Sequence, residues 1–395
     1  MQNVSKTSPP VRGSLLTDPQ VRSWLFQVVA VVAVVAFGWF LFNNTQTNLS
    51  HRGITSGFGF LNNSAGFGIP QHLIPYTEGD TYGRVFLVGL LNTLLVSVIG
   101  IVLATIIGFT VGVARLSNNW LLRKVATVYI EIFRNIPPLL LIFFVYFAVL
   151  APLPGPRQSL SLGDAFFVNN RGLYMPAPTA DTGFIPGLIA FLIAVVASVV
   201  VFRWARKRRH ATGERFPVLW TILALLIGIP LLATLVFGKP FHWELPELQG
   251  FNLRGGWVII PELVSLALAL SVYTAAFIGE TVRGGIQAVS HGQTEAASSL
   301  GLRPGLTLRL VIIPQAMRVI IPPLTNQYLN LMKNSSLGAA VGYPEMVALF
   351  AGTTLNQTGQ AIETMAITMS VYLAISISIS ILMNWYNKRI ALIER

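Results

Sequence analysis

The chain has 395 residues, 53% of them hydrophobic and only 11% charged, with a mean hydropathy of +0.64. Those values exclude an ordinary soluble domain and fit an all-α polytopic membrane protein. The absence of cysteine excludes disulfides and thiolate metal sites, and because the basic residues behind the net charge of +12 fall in short loops between apolar runs, membrane topology explains them better than nucleic acid does.

A bilayer core of about 30 Å needs roughly 20 mostly apolar residues in helical form. Residues 1–23 carry Lys6, Arg12 and Arg22 ahead of an apolar run with no small-residue cleavage site. They read as a cytoplasmic N-terminal segment before an uncleaved first span, 24–42. A periplasmic loop completes the 24–84 unit; this loop, 43–84, and the later 151–183 are rich in Gly, Pro and Asn, and both read as irregular, partly ordered surface segments. Spans follow at 86–113 and 125–150. In the second, Glu131 and Arg134 are three residues apart, the spacing of an intramembrane ion pair, with gating as the other reading. Pro137 and Pro138 come next and should kink the helix or break its first turns.

Spans 184–202 and 217–237 form a hairpin around the basic run 203–216, which reads as a positive anchor near anionic lipid. Span 257–279 is closed by Glu280 and Arg283, again three apart and placed to anchor the following loop. The last clear span is 365–386, before a cytoplasmic tail, 389–395. An eighth candidate, 318–338, holds Asn326, Gln327, Asn330, Lys333 and Asn334 and is too polar for hydropathy alone. Parity supplies it: the loop 281–317 and the tail are both basic, so two crossings must separate them. With both termini in the cytoplasm, inside segments hold 19 of the 27 Lys and Arg residues and outside loops hold six. About eight transmembrane helices result.

The polar loop after Arg283 carries Glu295-Ala-Ala-Ser-Ser-Leu-Gly301, nine further residues, then Val311-Ile-Ile-Pro314. Ser290 and Gln293 have capping-box spacing, so a short helix starts there. Gly301 can end it in a left-handed conformation and Pro304 prevents continuation. Ala296, Ala297, Ser298 and Ser299 leave a low surface that another protein's cleft can accept, and Glu295 sits near the helix start, where the dipole favours an anion.

This segment resembles the cytoplasmic docking loop of ABC importer permeases, with Val311 and Ile313 in place of the usual Ile and Leu. Four more stretches resemble the permeases of polar amino-acid ABC importers: Gly89-Leu-Leu-Asn92-Thr93-Leu, Glu131-Ile-Phe-Arg134-Asn135-Ile-Pro137-Pro138-Leu139, Tyr273 through Arg283, and Leu331-Met-Lys333-Asn334-Ser335-Ser336-Leu337. Within that group the long layout looks most like a permease of the general L-amino-acid importers. The resemblance implies a type I importer permease fold over 85–388, with 184–237 as an extra hairpin, in a bacterial inner membrane. It implies ATPase coupling through Glu295, Ala296, Ala297, Gly301 and Pro314. It also implies partners: a second permease, an ABC ATPase dimer, a periplasmic amino-acid-binding protein and an L-amino-acid substrate. The chain itself needs no cofactor, because ATP binds the ATPase subunits; it has no G-x-x-x-x-G-K-[ST] motif.

Charged and amide groups within spans are costly in lipid and mark functional faces. Asn326, Asn330 and Lys333 stack along one helix face, with Asn334 and Ser335 beside them. They can line a path for a zwitterion, hold helices together by hydrogen bonds, or touch the partner permease. Histidines are scattered without metal-ligand spacing, and no nucleophile or paired-carboxylate arrangement is visible. Two rivals from other classes are a stand-alone secondary transporter of small polar solutes, which would need an ion-coupling site, and a membrane-embedded enzyme. Within the ABC reading, the rival is an importer of narrow specificity or for another small polar solute.

Overall fold

A computed structural model describes residues 19–51, 57–214 and 216–390. Most of the expected N-terminal segment (1–18) and tail (391–395), with Arg215, lie outside the described residues. The chain begins with α1 (Pro19–His51) and α2 (Tyr82–Ala114), continues through α3 (Trp120–Asn135) and α4 (Pro138–Phe143), and extends α4 by a π-helical stretch, Phe144–Leu150. Four short strands follow, β1 (Leu160–Leu162), β2 (Phe166–Asn169), β3 (Gly172–Met175) and β4 (Ala177–Ala180). Then come α5 (Phe184–Thr212), α6 (Val218–Phe237) and strands β5 (Phe241–Glu244), β6 (Glu247–Gln249), β7 (Asn252–Arg254) and β8 (Trp257–Ile259). The last third holds α7 (Pro261–Gln287), α8 (His291–Ser299), α9 (Pro304–Thr307), α10 (Ile313–Asn334), α11 (Leu355–Thr358) and α12 (Ala361–Ile390).

Among the described residues seven helical segments are long and apolar enough to cross a membrane, and an eighth crossing exists only if α3 and α4 count as one. The protein is therefore a multi-pass membrane protein. The span expected at 125–150 is broken where Pro137 and Pro138 were expected to kink or break it: α3 and the α4 segment meet at 108°. Ile136 and Pro137 are both extended, with ψ of 129° and 135°. A residue before proline is pushed out of the α region and proline cannot donate its N–H, so two consecutive prolines break the ladder and restart it at Pro138.

α2 and α7 pack most closely. Gly108 of α2 lies so near α7 that a Cβ there would stand 2.6 Å from Ile278 Cβ; small residues permit such approach, and dispersion then binds the helices. Leu266, Leu270, Ile278 and Val282 of α7 form one buried core with Val96 of α2, Ile142 of α4 and Ile320, Leu324 and Leu331 of α10. A second core joins Phe60, Ile69 and Tyr76 to Val85 and Val88 of α2 and to Phe350 and Val371. Of the expected 43–84 loop, residues 43–51 instead continue α1, and residues 57–81 are packed, not loose, because their aromatic and aliphatic side chains find an apolar surface between α2 and α12.

The loops flanking the α5–α6 hairpin are also more ordered than expected. They build an antiparallel sheet in the order β1-β2-β3-β8, with β4 paired to β5 and β6 to β7. β3 and β8 pair Leu173 with Ile259 and Met175 with Trp257, so both ends of the insertion lie at one end of the molecule, the cap end. α7 runs from there to α8, which marks the opposite end. α1 buries none of its apolar window within this chain.

Candidate functional site

At the α8 end, the helix begins at His291 after Ser290 in extended conformation, with Gln293 N–H donating to Ser290 O at 3.0 Å. The capping-box spacing marks the start correctly, but no side-chain cap forms. Gln293 instead accepts a hydrogen bond from Gln315 Nε2 at 3.1 Å, which ties α8 to α10. Gly301, at φ +75°, closes the helix. Its N–H reaches Ser298 O at 2.9 Å and Leu302 N–H reaches Ala297 O at 3.1 Å, the two bonds of a Schellman motif. Ala297 is buried beneath the helix, whereas Glu295, Ala296, Ser298 and Ser299 face outward. Glu295 meets His291 Nδ1 at 3.0 Å. Pro314 is exposed near the start of α10, where the π-helical stretch Leu308–Ile312 passes into α-helix. Leu300 completes this surface, 81% exposed at the tip. Sequence reasoning passed over it as spacing between Ala297 and Gly301.

Behind α8 lies an ionic cluster centred on Glu280. Its carboxylate pairs with Arg115, just past α2, and accepts from Arg283 Nε at 3.1 Å through both oxygens. Glu280 and Arg283, expected to anchor the following loop, pair with each other; the expected Glu131–Arg134 pair is not formed. Glu131 turns 3.6 Å from Arg115, and the Arg134 guanidinium sits 5.4 Å from the Phe277 ring centroid, an attractive cation–π geometry. Both residues are exposed on α3 rather than enclosed in a span. Arg115 is the competitor that helical spacing could not reveal: it comes from another element and was legible only as a loop charge.

On α10 the polar residues do not act as one row. Asn330 and Asn334, with Gln327, line a cleft of about 300 Å³ against Tyr273, Thr274 and Phe277 of α7. Lys333 leans to the other side, into a groove of about 560 Å³ whose walls include Ser336 and Tyr372. Asn326 is exposed and lines neither. Ser335 is fully buried and donates to Met332 O at 2.6 Å, so its hydroxyl is unavailable to a solute.

Beyond Asn334 the α-helix gives way to a 3-10 stretch, Ser335–Val341, and the chain resumes as a π-helical stretch, Val347–Thr354. The break between them is held by α2. Asn92 Nδ2 donates to Pro344 O and Gln71 O, both at 2.8 Å; Tyr343 Oη donates to Asn92 O at 3.0 Å; and Met346 N–H donates to Thr93 Oγ1 at 3.0 Å. Glu345, fully buried, accepts from the N–H groups of Val347 and Ala348 and from Tyr372 Oη, each at 2.8 Å. An acid at the start of a helical stretch satisfies donors that have no intrahelical partner. The Asn92-Thr93 pair thus has a structural role, and Glu345 is a residue that sequence reasoning missed; its signal was a lone acid after Gly-Tyr-Pro in an apolar run.

The profile of the family described as "Binding-protein-dependent transport system inner membrane component" matches residues 212–392. A relative in Escherichia coli K12, called a putative amino-acid ABC transporter permease protein, is 64% identical over 387 residues, covering 98% of each chain. The general L-amino acid transport system permease protein AapQ of Rhizobium johnstonii is 54% identical over 382 residues, covering 97% of this chain and 95% of its own. A crystal structure of an amino acid ABC transporter with histidines covers 78% of this chain and 95% of its own at 19% identity, with a TM-score of 0.47.

Proposed function

Because the chain belongs to the inner-membrane components of binding-protein-dependent transport systems, as a permease of the amino-acid ABC type, we propose that α8 is the contact through which a separate ATPase drives it. The observation that carries this is the build of α8. It is a short helix with a sharp Schellman stop, small exposed residues and one protruding leucine, joined by chain to α7 and by Gln293–Gln315 to α10. A push on α8 therefore reaches the two helices whose side chains line the polar cleft.

The transport reading follows from that linkage. ATP binding closes the ATPase dimer, displaces α8, and rocks α7 and α10 so that the pathway alternates between its two sides. Nucleotide favours one of two preexisting arrangements and supplies no chemistry in this chain. The Glu280 cluster makes α2, α3 and α7 move together, which gives Glu131, Glu280 and Arg283 a transmitting role and Arg134 a packing one. Asn330 and Asn334 offer amide donors and acceptors to the carboxylate and ammonium of an L-amino acid, and Lys333 offers a cation to the groove on the other side of α10. A second permease completes the pore against the exposed face of α10, and a periplasmic binding protein delivers substrate at the cap end. The α8 end and both termini are then cytoplasmic, with the chain in the inner membrane.

The test is Glu295→Lys. Uptake by the assembled transporter should fall at least about tenfold, from a charge reversal at a buried protein contact, with normal insertion and unchanged amounts of the chain in the membrane. Undiminished uptake would count against the coupling role of α8.

A further inference from the structure

The α5–α6 hairpin has no part in the coupling argument, yet its inner end is built as a binding site. The apolar part of α5, Phe184–Phe202, has 19 residues, about 28 Å of helix and enough for the hydrocarbon core. The next ten residues project into the interfacial layer at the end opposite the cap, and they include Arg203, Arg206, Lys207, Arg208, Arg209 and His210.

These cations divide between two faces of the helix. On one, Trp204 packs edge-on against Phe216 with ring centroids 5.3 Å apart, Arg208 lies 5.4 Å from the Trp204 ring centroid, and Glu214 pairs with Arg208 at 2.6 Å. That face is internally satisfied. On the other, Arg206, Arg209 and His210 line a pocket of about 550 Å³ with Phe202, Phe216 and Val218. Among the described residues no carboxylate pairs with Arg206 or Arg209. Two arginines without a carboxylate partner among the described residues thus share a pocket with an apolar floor, at the depth where a lipid phosphate meets its acyl chains.

We propose that this pocket binds the phosphate of an anionic phospholipid headgroup in the leaflet facing α8. Guanidinium forks match phosphate oxygens in charge-assisted pairs, and Phe202 and Val218 give the first methylenes of the acyl chains an apolar surface. A free phosphate compound shares the anionic chemistry but gains nothing from that floor. A zwitterionic lipid would bring a cation into a pocket that has no acid to receive it. Calling this leaflet cytoplasmic rests on the orientation proposed above; the site itself does not.

The test is native mass spectrometry of the detergent-purified transporter, this chain with its partners, titrated with dioleoyl phosphatidylglycerol. Arg206→Gln with Arg209→Gln should weaken binding at least about thirtyfold, as the loss of two charge-assisted contacts predicts. Arg203→Gln with Lys207→Gln removes the same charge from the same helix outside the pocket and should change binding less than about threefold, the scale of a screened surface effect. Equal losses in the two pairs would reduce the effect to general attraction and overturn the site. The lipid assignment also fails if soluble glycerophosphoglycerol binds as tightly as the lipid, because the pocket would then serve a free phosphate compound.

Discussion

Leu300→Ala isolates the contact between this chain and its ATPase. The side chain is 81% exposed, so truncating it opens no cavity here and should leave the stability of the chain alone unchanged. A partner that covers it fully removes its remaining surface from water. Three carbon atoms at about 0.8 kcal/mol each, scaled by the 81% still exposed, give about 2 kcal/mol, or about a thirtyfold loss of affinity. The assay is binding of separately purified ATPase to the immobilised permease in detergent, with thermal unfolding of the permease as a control. Binding unchanged within about threefold would refute the argument, since a leucine presented at a docking tip and left uncovered contributes nothing. A lower unfolding temperature for the permease alone would refute it differently, by making Leu300 an internal packing residue.

Two other changes test the framework behind α8. Glu280→Gln leaves half-buried Arg115 and Arg283 without a full countercharge; Glu131→Gln removes a carboxylate that is 60% exposed and 3.6 Å from Arg115. The first should cost about 1–3 kcal/mol and the second under about 1 kcal/mol, so thermal unfolding should rank Glu280→Gln well below Glu131→Gln; equal shifts would remove Glu280 from the centre of the cluster. Gly108→Leu forces a side chain into the α2–α7 seam, where even a Cβ would stand 2.6 Å from Ile278, and overpacking of this kind costs about 1–3 kcal/mol or more. Its yield of monodisperse protein should fall sharply beside Gly228→Leu, whose Cβ meets nothing within 4 Å; equal yields would mean that the seam is looser than its geometry implies.

What the sequence makes legible here is what depends on near neighbours. Apolar run length gives the long helices, and Gly301 with Pro304 gives the end of α8, because both signals act within one turn. Ile136-Pro137-Pro138 signals a break, but not its 108° angle, which is set by how α3 and α4 each pack on α7. Helical spacing suggests Glu131–Arg134, yet the partner Glu131 finds is Arg115, brought in by the turn after α2. The strands escape notice because they are three or four residues long and β3 must find β8 across more than eighty residues. Glu345 is invisible as a site for the same reason: Tyr372 comes from the next long helix, and the N–H groups it accepts are free only because the preceding helix stops.

The β3–β8 pair also explains how an extra hairpin can sit in a working permease. The strands that flank the insertion are hydrogen-bonded to each other, from Leu173–Ile259 to Met175–Trp257, so the route from α4 to α7 closes at the cap without help from α5 or α6. β4–β5 then holds the emerging chain, pairing Ala177 with Glu244 and Ala180 with Phe241. Ala190, Ala194 and Ser198 recur every fourth residue on the buried side of α5, where small side chains let α6 approach closely. The other faces carry large apolar residues such as Leu192, Val196 and Leu232, at least half exposed. A unit tied at the cap whose membrane-spanning part exposes large apolar side chains has lipid as its natural surroundings. If its inner end also holds a lipid headgroup through Arg206 and Arg209, both ends of the hairpin are fixed while α7 and α10 rock beside it. Transport by the Arg206→Gln, Arg209→Gln protein would then stay weak even in membranes rich in anionic lipid, at the level the unaltered protein shows only where anionic lipid is scarce.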